Sequence, residues 1–228
     1  MEFIAGPIRD MITGIYGHVG SYGLAIVLFT VILRVILWPL DIKQRKEQKK
    51  MVDLQPKMKE LQKKYRNNKD KLNKKTMELY RKHNVNPMAG CLPMLIQLIL
   101  LFALFSALRG LVNSGVMAGE TFLWIRDISK PDSFLTKMPD GSVNGYFILP
   151  ILAGVSQFFT TKMMSSTTIQ PEGQPKIMNY FFPLFSVYIC ATYNAAFALY
   201  WVASNLIQLI QQLIIRLSAR QPVKEGVN

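Results

Sequence analysis

The chain has 228 residues, half of them hydrophobic, and carries 27 Lys+Arg against 14 Asp+Glu, a formal charge of +13. One water-soluble core seldom combines such oiliness with such basicity, so the two properties must occupy different segments. No HExxH, GxSxG or GxxxxGK[ST] string occurs and the two histidines lie far apart, which argues against a His-based metal site, a hydrolase or a nucleotide-driven pump.

At the N-terminus, Phe3, Ile4, Ile8, Met11, Ile12 and Ile15 recur at near-helical spacing. The pattern suggests an amphipathic helix over residues 1–20 lying in a membrane interface; a frayed extension of the next span is the plainer alternative. Two acids and one Arg precede the first apolar run, so a cleaved signal peptide is not expected. That run, Met11 to Leu33, is uncharged and continues past a lone Arg34 to Leu40. It supports a first transmembrane helix over 21–40.

Residues 41–83 hold 16 basic and 6 acidic residues, so most of the net charge is here. Met51, Leu54, Met58, Leu61 and Tyr65 alternate three and four apart, Asn67-Asn68 offers a turn, and Leu72, Thr76, Leu79, Tyr80 and His83 make a weaker second stripe. The spacing predicts a basic helical hairpin over 41–87, with a kink or a fresh helix start at Pro56. Its lysines could form a solvated face, attract anionic headgroups, or receive an acidic partner or ribosomal RNA.

Residues 88–108 are again uncharged and give a second span. A loop over 109–145 follows, in which Phe122, Leu123, Trp124 and Ile128 read as interfacial anchors. A third span is expected over 146–163 and a short loop over 164–176. The uncharged run from Ile177 to Ile215 would measure about 58 Å as helix, two crossings of a hydrocarbon layer about 30 Å thick. Its most polar midpoint, Ala191 to Asn194, divides it into spans over 177–192 and 195–215, leaving a tail over 216–228. Cys91 and Cys190 sit inside apolar runs, as small hydrophobes do. With five spans and the N-terminus outside, 21 Lys and Arg fall on the inner side against five on the outer. The positive-inside bias therefore predicts a cytoplasmic C-terminus and a cytoplasmic hairpin.

Arg34 is the informative residue. Six apolar residues separate it from Asp41, a rise of about 10 Å, and an Arg at the centre of a membrane helix costs about 2.5–3.5 kcal/mol on insertion scales. Snorkelling to the interface is the bland explanation; a charged site inside the membrane is the functional one. Thr30 lies one turn earlier on the same face, Gln97 and Gln157 fall in the second and third spans, and Asn194, Tyr200, Trp201, Ser204, Asn205, Gln208, Gln211 and Gln212 stud the last span and its approach. Interhelical hydrogen bonding alone could account for that stripe. No acid occurs within any expected span, so Arg34 reads as a receptor for negative charge.

At these residues the chain resembles the YidC family of membrane-protein insertases. The strings YGLAIVLFTVILRVILWPL, QPKMKELQKKY, NPMAGCLPMLIQLILLFALFSALR, FLWIRDISKPD, YFILPILAGVSQFF and LYWVASNLIQLIQQ carry the resemblance in order from about Tyr22 to Gln212. It implies an all-α integral membrane protein in which five transmembrane helices enclose a hydrophilic groove, open to cytoplasm and lipid, together with the cytoplasmic hairpin. The pattern matches the shorter bacterial form, without a large extracytoplasmic domain, placed in the cell membrane. Client-binding roles pass to Thr30, Arg34, Gln97, Tyr200 and Trp201, and less directly to Gln157; Asn205 joins them from the polar stripe. The implied partners are nascent membrane proteins with acidic N-terminal segments and the lipid bilayer, with the ribosome and the general secretion channel as further candidates. No DNA, enzymatic residue, cofactor or metal is expected. The reading from another class is an anion channel or small-solute transporter; a ribosome-tethering scaffold would leave Arg34 unexplained.

Overall fold

The structure, a computed structural model, describes residues 2–85, 92–165 and 178–220. Met88 and Cys91, nearly all of the expected 164–176 loop and the end of the tail lie outside these residues. Eight helices are present among them: α1 Glu2–Val19, α2 Tyr22–Asp53, α3 Gln55–Lys64, α4 Lys69–Lys82, α5 Leu92–Asn113, α6 Ile148–Ser165, α7 Met178–Thr192 and α8 Ala195–Arg220. Beside them the described residues contain only two isolated β-bridges, both in the loop between α5 and α6. The protein is all-α. Three helical stretches are long and apolar enough to cross a membrane, Tyr22–Asp53, Leu95–Asn113 and Ala195–Ile215, and Tyr180–Thr192 is a shorter apolar one.

The chain divides into two compact units, one formed by residues 1–35, 103–163 and 176–228, the other by 36–102 and 164–175. In the first, large apolar side chains cover the outer faces of the long helices while polar side chains are buried among the apolar ones inside, as expected where the surroundings are lipid rather than water. On α2, Leu24, Leu28, Val31 and Ile32 are exposed while Ala25, Ile26, Phe29, Thr30 and Arg34 are buried. On α8, Leu206, Ile210, Leu213, Ile214 and Leu217 are exposed, but Ser204, Asn205, Gln211 and Gln212 are buried. The inner face of α6 repeats the pattern with Leu149, Ala153, Ser156 and Thr160. A Cβ on Gly154 would stand 2.4 Å from Val187 Cγ2, so this glycine permits the close approach of α6 and α7. At the N-terminus, Ala5, Ile8 and Ile12 of α1 are buried while Phe3, Ile4 and Met11 are exposed. The helix therefore presents one apolar face to the protein and a second outward.

The loop between α5 and α6 folds into a cap, in which Ile128 is fully buried while Leu123 is 72% exposed. Asp132, with no exposed surface, accepts hydrogen bonds from Trp124 Nε1 (3.3 Å), Tyr146 N (2.9 Å) and Leu149 N (2.7 Å). The last of these satisfies a free amide in the first turn of α6, the part a side-chain cap plays. The bonds to Tyr146 and Leu149 straddle Phe147, held at φ 64, a conformation unfavourable to a residue with a Cβ. Buried Asn144 accepts from Asp127 N (2.8 Å) and donates to the carbonyls of Asp127 (3.0 Å) and Pro131 (2.9 Å). The carbonyls of Lys130 and Ile128 accept from Ala195 N (2.8 Å) and Ala196 N (3.0 Å), tying the cap to the start of α8. Burial pushes the Asp127 carboxyl up, but hydrogen bonds from Ser129, Lys130 and Gly119 outweigh it and hold the group below its ordinary value.

In the second unit, α2 does not end with its apolar run. It continues past Pro39 and Leu40 to Asp53, and α3 begins afresh with Pro56 in its first turn. Pro56 lacks the N–H that would have reached the Val52 carbonyl, which explains a break at that point. Asn68 caps α4, its side chain accepting from Lys71 N at 2.9 Å. α3 and α4 pack together, and Leu54, Tyr80 and Val85 form a small buried cluster flanked by Met51 and Met58. Burial raises the Tyr80 phenol above its usual value. Lys57 Nζ and His83 Nε2, 3.3 Å apart, add a polar contact between the arms. With so few buried groups the hairpin has little core, and its lysines remain on the surface.

Candidate functional site

Arg34 lies about 18 Å along α2 from Tyr22 and is 5% exposed, turned into the first unit. Its Nε donates to Ser204 Oγ on α8 at 3.1 Å, and its Nη2 donates to the same oxygen. Gln211 Nε2, two turns further along α8, donates to the Arg34 carbonyl at 3.1 Å and fixes the backbone beneath the side chain. Among the described residues no carboxylate pairs with Arg34, and only Ser204 accepts from its guanidinium. A guanidinium has five N–H donors, so part of its hydrogen-bonding capacity is left over.

The neighbouring helix faces are polar as well. Asn205 Nδ2 on α8 donates to Ser156 Oγ and Gln157 Oε1 on α6, both at 3.1 Å. Thr30 is fully buried, its hydroxyl donating to the Ile26 carbonyl at 2.7 Å, so its hydrogen is committed within α2. Trp201 Nε1, Gln211 Oε1 and Gln212 Nε2 are buried without a hydrogen-bond partner. Unsatisfied polar atoms on one helix cost free energy unless something else meets them. This interior thus combines a cation with neutral hydrogen-bonding groups, and among the described residues no carboxylate pairs with the cation.

The expected site residues are distributed unevenly. Thr30 and Arg34 share the inner face of α2, and Asn205 and Gln157 are joined by a hydrogen bond. Tyr200 is 3% exposed, so its side chain is not available at the surface, whereas Trp201 is half-buried beside Phe197, ring centroids 5.6 Å apart. Gln97 is exposed on α5, in the second unit. Ser204 and Gln211 were legible only as members of the polar stripe; their direct bonds to Arg34 depend on α8 meeting α2. Ser156 gave no signal beyond its place before Gln157.

Comparison with known proteins bears on this geometry. The family model described as "60Kd inner membrane protein" matches residues 14–222. A membrane protein insertase YidC of Fusobacterium nucleatum is 41% identical over 199 residues, covering 87% of both chains. One from Clostridium perfringens is 36% identical and spans 99% of this chain and 97% of its own. One from Campylobacter jejuni is 38% identical over 93% of this chain but only 37% of its own length, so this chain spans little more than a third of that relative. Among solved structures, an active YidC insertase crystal structure superposes with a TM-score of 0.64 at 27% identity, covering 92% of this chain and 45% of the other.

Proposed function

The chain belongs to the YidC family of membrane-protein insertases, and from that premise we propose that it receives client transmembrane segments from the cytoplasm into a hydrophilic groove at Arg34 and releases them sideways into lipid. The observation that carries the reading is a buried guanidinium whose described acceptor is a neutral hydroxyl. In this reading five helices, α2 and α5 to α8, cross the bilayer, with the N-terminus outside and the C-terminus in the cytoplasm. Arg34 draws the acidic leading segment of the client. Gln157 and Asn205 supply neutral hydrogen-bond partners, Trp201 offers a half-buried aromatic edge, and Thr30 and Tyr200 shape the wall behind them. For Gln97 the family pattern is the support.

The energy comes from client and field. About twenty apolar residues entering lipid gain roughly 0.3–0.6 kcal/mol each, and each carboxylate moving outward gains about 2.3 kcal/mol per 100 mV. The protein need only lower the barrier for the polar segment, by replacing some of the water the segment loses. No nucleotide is required for that.

The test is reconstitution of the purified protein in liposomes with a short client bearing an acidic N-terminal segment. Protection of that segment from added protease should rise several-fold over protein-free vesicles. Equal protection without the protein, or anion flux without insertion, would overturn the reading. The basic hairpin supplies a second test. Replacing the exposed Lys59, Lys63, Lys71 and Lys74 by Gln should slow client crosslinking several-fold at low salt and little at high salt, while leaving thermal unfolding of the spans in place. Unchanged crosslinking would remove the hairpin from the capture step.

A further inference from the structure

A second cationic feature lies in the first unit, away from Arg34. The last turns of α5 and the turn between α7 and α8 border an open cavity of ≈ 260 Å³, lined among others by Phe105, Arg109, Asn113, Tyr193, Asn194 and Phe197. Its wall is aromatic: Phe105 meets Tyr193 edge-on at 4.6 Å and Phe197 at 5.9 Å between ring centroids. Its rim is polar, with Arg109 and Asn113 exposed. Asn194 Oδ1 accepts from Phe197 N at 3.0 Å, which directs the hydrogens of its amide to other acceptors. Among the described residues Arg109 has no carboxylate partner.

Position selects the ligand. Arg109 is the first charge after the apolar run of α5 and stands about 21 Å along the helix from Leu95, where a membrane span meets its headgroups. On α7 the approach from the hydrocarbon side is apolar and open, Leu184 being 68% and Tyr188 65% exposed. A ligand fitting these surroundings has an anionic head for Arg109, hydroxyls or ester oxygens for the two asparagines, and chains that stay in lipid. We propose that the cavity binds the headgroup of an anionic glycerophospholipid, with the phosphate on Arg109. Its assignment to the outer leaflet rests on the orientation given under Proposed function; the binding itself does not.

The probe is phosphatidylglycerol with a photoreactive group on its glycerol head, carried in phosphatidylcholine vesicles with the full chain. Labelling should map to peptides containing 105–113 or 193–197, fall about five- to ten-fold in Arg109→Ala, and be largely retained in Arg109→Lys. Asn113→Leu should weaken it as well, and both sites are exposed enough for thermal unfolding to stay unchanged. Equal labelling by a choline lipid with the same photoreactive group would overturn the proposal, as would indifference to Arg109→Ala. Displacement by soluble glycerol phosphate would also overturn it, by showing that the site takes a free anion. Orientation is scored separately. Asn113→Cys, in a chain whose native cysteines are replaced by Ala, should react with an impermeant maleimide only from outside. Reaction from the cytoplasmic side would reverse the leaflet and leave the headgroup site standing.

Discussion

Arg34→Ala should reduce insertion of clients with acidic leading segments about ten- to a hundred-fold, while clients with neutral leading segments lose far less. The magnitude follows from one charge-assisted hydrogen bond, worth about 1.5–3 kcal/mol, removed from the receiving site. Arg34→Lys keeps the positive charge but loses the planar fork that reaches Ser204 through two nitrogens, so it should retain a substantial part of the activity. Ser204→Asp tests the same idea from the opposite side. A carboxylate placed against the guanidinium would neutralise it internally and should mimic Arg34→Ala for acidic clients. The measurement is protease protection in liposomes across a client series differing only in leading charge. Equal losses for acidic and neutral clients would show that Arg34 holds helices together and does not attract cargo.

Asp132→Ala should destabilise the protein by about 3–5 kcal/mol, because it removes a fully buried carboxylate that accepts from three donors, the Leu149 amide buried and the Trp124 and Tyr146 donors partly so. For a chain of this size that is roughly 6–20 °C in Tm, readable by calorimetry in detergent. Gly145 supplies the control. A Cβ there would lie 1.9 Å from Asp132 Oδ1 and 3.3 Å from Asp132 Cα, so Gly145→Ala must displace the carboxylate. If the damage runs through that carboxylate, Gly145→Ala should cost much less in an Asp132→Ala background than alone. Additive losses would mean that the glycine serves the backbone and not the cap.

The sequence displayed those parts of the fold that repeat along one segment. Charge-free runs marked the apolar helices, because lipid must be met by continuous apolar surface, and Pro56 and Asn68 marked the ends of short helices by local chemistry. Arg34 was conspicuous because a charge within an oily run has so few uses. Local pattern could not show α2 running on to Asp53, since nothing in its basic half breaks a helix and apolar content alone suggested a stop at Leu40. Nor could it show the cap. Asp132, Asn144 and the first amides of α8 are brought together across more than sixty residues without any period to announce them, and mixed charges among aromatics read equally well as a surface loop. The burial of Tyr200 against the half-exposure of its neighbour Trp201 is likewise a matter of helix rotation, which depends on what packs beside it.

The hydroxyl that meets Arg34 has a kinetic consequence. An acidic side chain in its place would make the arginine inert, and a deep set of strong acceptors would hold it in one pose. If clients are received at Arg34 as proposed, Ser204 would serve as a placeholder of moderate strength, which an arriving carboxylate could outcompete and to which the cation could return once the cargo had moved on. A conduit that handles one passenger after another depends on such exchange, since a grip strong enough to be irreversible would end its service with the first.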